Sequence, residues 1–179
     1  MRYRLPHTLP DYLVDRPRLL LVGLNPASYA VAMGHYYARR SNRFWKLLFD
    51  SGLVPEPLTR EDDARLPEFG IAISDMVKRP SPNVDDISRE EFRAGHARLT
   101  RLARRLEPGV IAFNGLAGYR HAVDARAQIG VQPARIAGRP VVVLPSSSAR
   151  AGGAFSYSKL LEHWRVLRAL VEAESAREE

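Results

Sequence analysis

Three short stretches of this 179-residue chain carry residue types that could do chemistry, and each directly follows an apolar run. GLNPAS at 23–28 supplies an amide, SDMVKRP at 74–80 a carboxylate, and PSSSAR at 145–150 hydroxyls and a guanidinium. The chain has no cysteine, which excludes disulfides, thiolate metal sites, a cysteine nucleophile and iron–sulfur clusters. Any reaction must therefore use oxygen, nitrogen or backbone groups.

The absence of other sequence motifs excludes further kinds of reaction. None of the five histidines forms a pair at the spacing of metal ligands on a helix, so we expect no catalytic metal and no cofactor. The sequence has no P-loop, no G-x-G-x-x-G and no G-x-S-x-G. Nucleotide hydrolysis, dinucleotide binding and hydrolase-type serine chemistry therefore lack their usual signatures.

The charge of the chain predicts an anionic partner. There are 27 Lys and Arg against 20 Asp and Glu, a net charge of +7, and 27 − 3 = 24 of the cations are arginine. Guanidinium groups suit phosphates and base edges, and nucleic acid is the commonest partner of a basic domain. An arginine-rich codon bias explains the excess as a whole equally well. Without an apolar run of membrane length or a signal-peptide core, we expect a cytosolic protein.

The elements that must position the three loops alternate between strand and helix. Apolar runs predict strands at 19–23, 108–115 and 139–145, and an alternating run around Ile71 and Ile73 predicts a short strand. Helical spacing predicts helices after Ser41, after the SREE capping box at 88–91, near 116–126 and from Tyr157. This alternation predicts a parallel sheet with helices on both faces and a ligand site at the carboxyl ends of the strands.

The same pattern predicts one domain over the whole chain, with an N-terminal extension at 1–17 and a frayed tail at 172–179. Aromatic and leucine residues at helical spacing from Phe44 to Phe49, and again around Trp164, indicate packed helix faces. We therefore assign Phe44, Trp45 and Trp164 to the core and not to a binding surface.

Four segments in order carry a resemblance to a known family. GLNP at 23–26, GHYYARRSNRFWKLL at 34–48, SDMVKRP at 74–80 and LPSSSAR at 144–150 are similar to motifs of the mismatch-specific uracil-DNA glycosylase and thymine-DNA glycosylase family. The match runs from about Arg18 to Leu170. That family belongs to the uracil-DNA glycosylase superfamily, and the resemblance implies a three-layer α/β/α fold around a central, mainly parallel four-stranded sheet.

The resemblance implies that Asn25 is catalytic and positions the water that attacks C1′ of the flipped nucleotide. Because an amide does not take up a proton at neutral pH, Asn25 would orient the water, which implies slow chemistry. Spacing alone favours a simple Asx turn before Pro26 instead.

Asp75 departs from the family, whose members carry Lys or Asn at this position of the motif. A carboxylate there could accept the proton of the water, a contribution of about 10²–10⁴-fold. The alternative, held equally open, is a strand-end Asp that caps the turn or pairs with Lys78 or Arg79.

The resemblance also implies a pocket for the base. Tyr37 corresponds to the aromatic residue that stacks on the flipped pyrimidine, a contact worth roughly 1–3 kcal/mol. Ala30 falls beside the 5-position of the pyrimidine, where its small side chain would admit thymine. Gly23, Leu24 and Ser146 are the other residues assigned to substrate binding.

DNA contacts are expected at two places. By resemblance, the loop of Ser147, Ser148, Ala149 and Arg150 enters the duplex, contacts the opposite guanine and fills the gap left by the flipped base. Ser148 is too short to fill that gap, which makes Arg150 the better candidate. We expect the basic residues near Tyr37 to contact phosphates, namely Arg39, Arg40, Arg43 and Lys46; a solvated helix face is the alternative.

The function implied by the resemblance is a monofunctional DNA glycosylase, active as a monomer on double-stranded DNA with mismatched or damaged pyrimidines, in the bacterial cytosol or nucleoid. Two alternatives stay open. One is a broader uracil glycosylase that also acts on A·U pairs or single strands, and the other is a nucleic-acid-binding module with weak or no turnover.

Overall fold

A five-stranded sheet forms the centre of the protein in the computed structural model, which describes residues 7–149 and 155–178. The strand order is β2-β1-β3-β5-β4. The first four strands are parallel, and β4 lies antiparallel to β5 at one edge. The bounds are β1 Leu19–Gly23, β2 Ile71–Asp75, β3 Val110–Asn114, β4 Gly130–Val131 and β5 Val141–Leu144. The four parallel strands match the predicted ones; β4 has only two residues, too few for a sequence pattern.

The helices are α1 Ser28–Met33, α2 Phe44–Asp50, α3 Arg89–Leu106, α4 Leu116–Ala122 and α5 Tyr157–Glu178, with 3₁₀ helices at Arg60–Phe69 and Val84–Asp86. The predicted capping box of α3 is confirmed: the Ser88 hydroxyl accepts from the Glu91 amide at 3.2 Å, and the Glu91 carboxylate accepts from the Ser88 amide at 2.9 Å. The predicted end of one helix is wrong, because α4 stops before 126. Helix α5 extends to Glu178, and the fraying of its last residues stays a prediction.

Two apolar clusters cover the two faces of the sheet. Leu19 and Leu21 of β1 belong to one cluster, together with Phe44 and Trp164. The alternate strand residue Leu20 belongs to the other, which α3 covers. Since both faces are covered, every residue of the parallel strands is buried. Phe44, Trp45 and Trp164 are core residues as predicted, whereas Phe49 points outward and is 38% exposed.

The segment predicted to be an N-terminal extension packs on the domain where it is described. Leu9 is buried, and the backbone of Tyr12 forms an antiparallel bridge with Ile73 of β2. None of the described helices has the length and apolar character required to cross a membrane.

The carboxyl ends of the parallel strands meet at one edge of the sheet. Gly23 at the end of β1 is paired with Asp75 at the end of β2, and Asn114 at the end of β3 is paired with Leu144 at the end of β5. The loops after β1 and β2 stay together beyond the strands, since the Met76 and Val77 amides donate to the carbonyls of Gly23 and Leu24 at 2.8 and 2.9 Å. The three polar loops therefore converge, as the alternating pattern predicts.

Candidate active site

Asp75 points from the end of β2 across the end of β1. Its Oδ1 lies so close to Gly23 that a Cβ on that glycine would overlap it, and the same Cβ would lie 3.2 Å from the Tyr37 hydroxyl. The side chain is buried, and Oδ2 has no hydrogen-bond partner among the described residues. Such an orphaned buried acceptor is rare in folded proteins and often marks a functional group.

The alternative role considered for Asp75, an ion pair with Lys78 or Arg79, is absent from the described residues. Lys78 is paired with Asp11 at 2.7 Å, and Arg79 with Glu91 at 2.7 Å. Burial raises the pKa of Asp75 to about 7; the charge of Asp11 also raises it, while Lys78 and Arg98 oppose the shift. Asp75 therefore changes between carboxylic acid and carboxylate near neutral pH.

Tyr37 contributes an aromatic ring and a second buried polar atom at the same place. Its ring stacks on Phe44 with centroids 4.0 Å apart, and its hydroxyl has no hydrogen-bond partner among the described residues. Burial raises the pKa of the phenol, the neighbouring Asp75 charge raises it further, and the Asn114 side chain opposes the shift. Tyr37 is therefore a neutral phenol beside Asp75 at all ordinary pH values.

A tight turn presents Tyr37, and a buried carboxylate holds that turn. Tyr37 has φ 49°, in the left-handed region that residues with side chains seldom adopt. Asp63, on the 3₁₀ helix and only 1% exposed, accepts from the Tyr36 amide at 2.9 Å and contacts the His35 ring nitrogen at 3.2 Å. These two contacts over-determine the strained conformation.

Asn25 is held by the neighbouring loop and not by its own backbone. Its side-chain nitrogen donates to the carbonyl of Arg79 at 3.0 Å and to the hydroxyl of Ser81 at 2.9 Å. The simple Asx turn is therefore not what the structure shows. With both amide protons engaged, the carboxamide is fixed in orientation, and its oxygen has no hydrogen bond within the described part of the chain. That oxygen is available to accept a hydrogen bond from a bound water.

The hydroxyl of Ser147 joins three loops of the site. It donates to the Asn42 side-chain oxygen at 2.8 Å and accepts from the Asn114 side-chain nitrogen at 2.8 Å. The Ser147 amide donates to Asn114 Oδ1 at 3.0 Å. The alternative reading of this loop, a cap for the last helix, does not apply, because Ser156 accepts from Lys159 there. Ser147 thus fixes the polar loop to β3 and to the start of α2.

Arg43 lies beneath the same loop. Its guanidinium donates to the carbonyls of Phe155 at 3.2 Å and Ser148 at 3.4 Å. The geometry gives it a role in supporting the loop, so we expect its effect on DNA to be indirect. Arg39 and Arg40 are exposed, and Arg39 lies over the Tyr29 ring, 4.9 Å from its centroid.

The other predicted site residues fall around these groups. Ala30 is buried on α1, and Leu24 packs on α4, where a Cβ on Gly118 would lie 2.7 Å from it. Ser146 accepts from the Ser148 amide at 3.2 Å, and Ala149 is exposed. Arg150, the predicted plug, lies outside the described residues.

The arrangement combines a titrating carboxylate, an oriented amide, an aromatic ring and a rigid loop at one end of the sheet. It can bind a planar base, hold a water molecule and accept a proton. The family model of the Uracil DNA glycosylase superfamily matches residues 10–168. The chain belongs to the uracil DNA glycosylase superfamily.

Individual relatives agree with that assignment. A G/U mismatch-specific uracil DNA glycosylase of Schizosaccharomyces pombe is 32% identical over 169 residues, which cover 88% of this chain and 52% of the relative. The chain thus spans about half the length of that protein. A candidate uracil DNA glycosylase of Methanosarcina acetivorans, solved by solution NMR, matches with a TM-score of 0.65 at 24% identity and covers 92% of this chain and 97% of its own. The predicted superfamily fold is confirmed; the sheet has a fifth strand, β4, besides the four predicted.

Sequence reasoning missed five polar residues that build the site: Asp11, Asn42, Asp63, Ser81 and Asn114. Asn114 had a readable signal, because it is a polar residue at the carboxyl end of a predicted strand. Asn42 lies in the motif at 34–48, in which the arginines and aromatic residues are the predicted site and core residues. Asp11 and Asp63 are distant in sequence from the loops they contact, and no local pattern distinguishes them.

Proposed function

We propose that this protein is a monofunctional DNA glycosylase that flips uracil out of mismatched duplex DNA, above all from G·U pairs, and excises it with water. Thymine and other modified pyrimidines are proposed as further substrates, because the family resemblance places the small side chain of Ala30 beside the 5-position of the pyrimidine. A mispaired base costs least to flip, roughly a few kcal/mol, so weak pairing contributes to selection.

The observation that carries the proposal is the placement of Asp75 and Tyr37 together at the ends of β1 and β2, with Asn25 in the loop directly after β1, in a chain of this superfamily. Two of these residues hold buried polar atoms that have no hydrogen-bond partner in the described part of the chain. Unpaired buried polar atoms destabilise a fold, so their presence at the carboxyl ends of the strands supports a ligand-binding role there.

In the proposed reaction the ring of Tyr37 binds the flipped pyrimidine, and the fixed oxygen of Asn25 orients a water toward C1′. The bond between C1′ and the base breaks through an oxocarbenium-like state, and its electron pair leaves with the base. The water oxygen bonds to C1′, and its proton passes to the Asp75 carboxylate. A pKa of about 7 for Asp75 suits a general base at neutral pH.

The test is single-turnover excision of uracil from G·U duplex, A·U duplex and single strands by the wild type, Asn25→Ala, Asp75→Ala and Asp75→Asn. We expect G·U to be cleaved fastest, and both Asp75 variants to lose about 10²–10⁴-fold. Asp15→Asn, an exposed acid on the N-terminal segment, is the matched control and should keep the wild-type rate.

Each alternative has its own outcome in this experiment. An unchanged rate in the Asp75 variants would remove the base role and leave Asn25 as the catalytic group. Equal rates on all three substrates would identify a broad uracil glycosylase. Tight DNA binding without base release from any substrate would identify a binding module.

A further inference from the structure

A cluster of polar residues drawn from three parts of the chain contacts the end of β2 at Ser74 and Asp75. Asp11 comes from the N-terminal segment, Lys78 from the loop after β2, and Arg98 from α3. All three side chains are partly buried, with 21 to 30% of each exposed. Nothing in the four motifs of the resemblance involves Asp11 or Arg98.

Asp11 is the centre of this cluster. Its Oδ1 accepts from Lys78 Nζ at 2.7 Å and from the Ser74 hydroxyl at 2.7 Å. Its Oδ2 accepts from the Arg98 guanidinium at 3.2 Å. The other end of that guanidinium donates to the Ser74 hydroxyl and to the backbone carbonyl of Asp75. The cluster therefore holds the last two residues of β2, Ser74 and Asp75, through hydrogen bonds.

The consequence for Asp75 is electrostatic as well as positional. Lys78 is only three residues along the chain from Asp75, and Arg98 contacts its backbone, yet neither cation forms an ion pair with its carboxylate among the described residues. Both cations are instead bound to Asp11. An acid paired directly with a lysine or arginine is a weak base, because the cation stabilises its charged form.

We propose that Asp11 is a positioning residue for Asp75: it binds Lys78 and Arg98, keeps both cations off the Asp75 carboxylate and thereby preserves a basic group at the end of β2. This inference deepens the proposed function and rests on it for its catalytic consequence. The geometry itself is independent of the reaction.

The charged and titratable groups around Asp75 determine the direction in which its pKa changes when the Asp11 charge is removed. Lys78 and Arg98 lower the pKa of Asp75, whereas burial and the Asp11 charge raise it. On the remaining side lie Tyr37 and Tyr36; both phenols have pKa values raised by burial first and by the Asp75 charge second, so both stay neutral. Removing the Asp11 charge leaves two cations unneutralised, and the pKa of Asp75 must fall.

The test is an NMR titration of the Asp75 carboxyl carbon in the wild type, Asp11→Asn and the control Asp15→Asn. We expect the midpoint to fall by about one pH unit in Asp11→Asn, the lower end of the effect of a nearby charge. It should stay unchanged in Asp15→Asn. The acid limb of the single-turnover pH–rate profile should move by the same amount, and the plateau rate should fall because the base is weaker.

A second variant separates charge from mere structural damage. Adding Lys78→Met to Asp11→Asn removes one unneutralised cation, so the midpoint should return toward the wild-type value. If Asp11→Asn does not fold, Lys78→Met alone should raise the midpoint. A midpoint that is unmoved or raised in Asp11→Asn, or unmoved in Lys78→Met, overturns the inference.

The titration needs no excision, so the two proposals fail separately. A wild type that releases no base would overturn the proposed function while the Asp75 midpoints still decide the role of Asp11. Normal excision together with an Asp75 titration midpoint that is the same in the wild type and in Asp11→Asn would overturn only this inference.

Discussion

The carboxylate oxygen of Asp75 occupies the space in which any residue other than glycine at position 23 would carry its Cβ. The parallel register of β1 and β2 places the two residues side by side, and their backbones continue paired into the following loops. The glycine thus makes room for the acid, and the two positions act as one unit.

Gly23→Ala should therefore damage the site more than the fold. The added methyl group meets the end of a side chain, Asp75 Oδ1, so the carboxylate moves and the backbone need not. We expect excision to fall by about 100-fold, typical of a misplacement of about 1 Å, and unfolding free energy to fall by about 1–3 kcal/mol. Thermal unfolding should show a smaller cost of the same change in an Asp75→Ala background. An equal cost in both backgrounds would contradict the proposed overlap.

Asp75→Asn should stabilise the protein at alkaline pH. The pKa of Asp75 is raised from 3.8 to about 7 by burial, so the folded state binds more protons than the unfolded state between these values. Stability contributed by this group falls as pH rises through that window, by about 1.4 kcal/mol per unit. The melting temperature of Asp75→Asn should exceed that of the wild type at pH 8 and match it more closely at pH 4. Asp15→Asn should show no such pH-dependent gain.

Ser147→Ala should loosen the loop that we expect to contact the duplex. The change removes the bridge between Asn42 and Asn114 and leaves the side-chain nitrogen of the buried Asn114 without its partner, at a cost of about 1–3 kcal/mol. Urea unfolding measures this loss, and binding to a G·U duplex should weaken in parallel. The exposed Ser158→Ala serves as the control. Unaltered unfolding in Ser147→Ala would show that the bridge adds nothing.

Asp63→Ala should act on substrate binding through Tyr37. Without its carboxylate the turn at 34–37 loses the acceptor of the Tyr36 amide, and the strained φ of Tyr37 relaxes. Stacking on a base contributes about 1–3 kcal/mol, so we expect KM to rise about tenfold with a smaller change in kcat. Glu61→Gln, an exposed acid of the same 3₁₀ helix, should leave KM unchanged. A loss confined to kcat would argue against this route.

The arginines near Tyr37 should separate into two kinds in a salt titration. Arg39→Gln and Arg40→Gln should each reduce the slope of log K against log salt by about 0.9, as for one phosphate contact. Arg43→Gln should keep the slope and lower stability, because its guanidinium holds loop carbonyls. Fluorescence anisotropy over a range of KCl concentrations measures the slopes, with Arg177→Gln at the end of α5 as the control. Equal slopes in all variants would show that Arg39 and Arg40 do not contact phosphates.

Local patterns were sufficient where a structural element is decided by a few neighbouring residues. Continuous apolar runs marked β1, β3 and β5 because burial on both faces demands them, and an alternating run marked β2. The SREE segment marked the start of α3 because a capping box is a local bonding pattern. Local patterns do not predict helix α1 or the 3₁₀ helix at Arg60–Phe69. Pro26 lies just before α1 and argues against a helix there, and the 3₁₀ helix has the polar composition of a loop.

The sequence by itself determined the family, the order along the chain of the four parallel strands and of helices α2 to α5, and the edge of the sheet at which Asn25, Asp75 and the Ser147 loop would meet. Only the tertiary structure decided the state of those groups. Whether Asp75 pairs with Lys78 depends on Asp11, 64 residues away in the chain, and the orientation of Asn25 depends on the Arg79 carbonyl and Ser81. Burial and charge pairing arise from contacts between segments that are distant in the chain, so a local sequence pattern does not predict them.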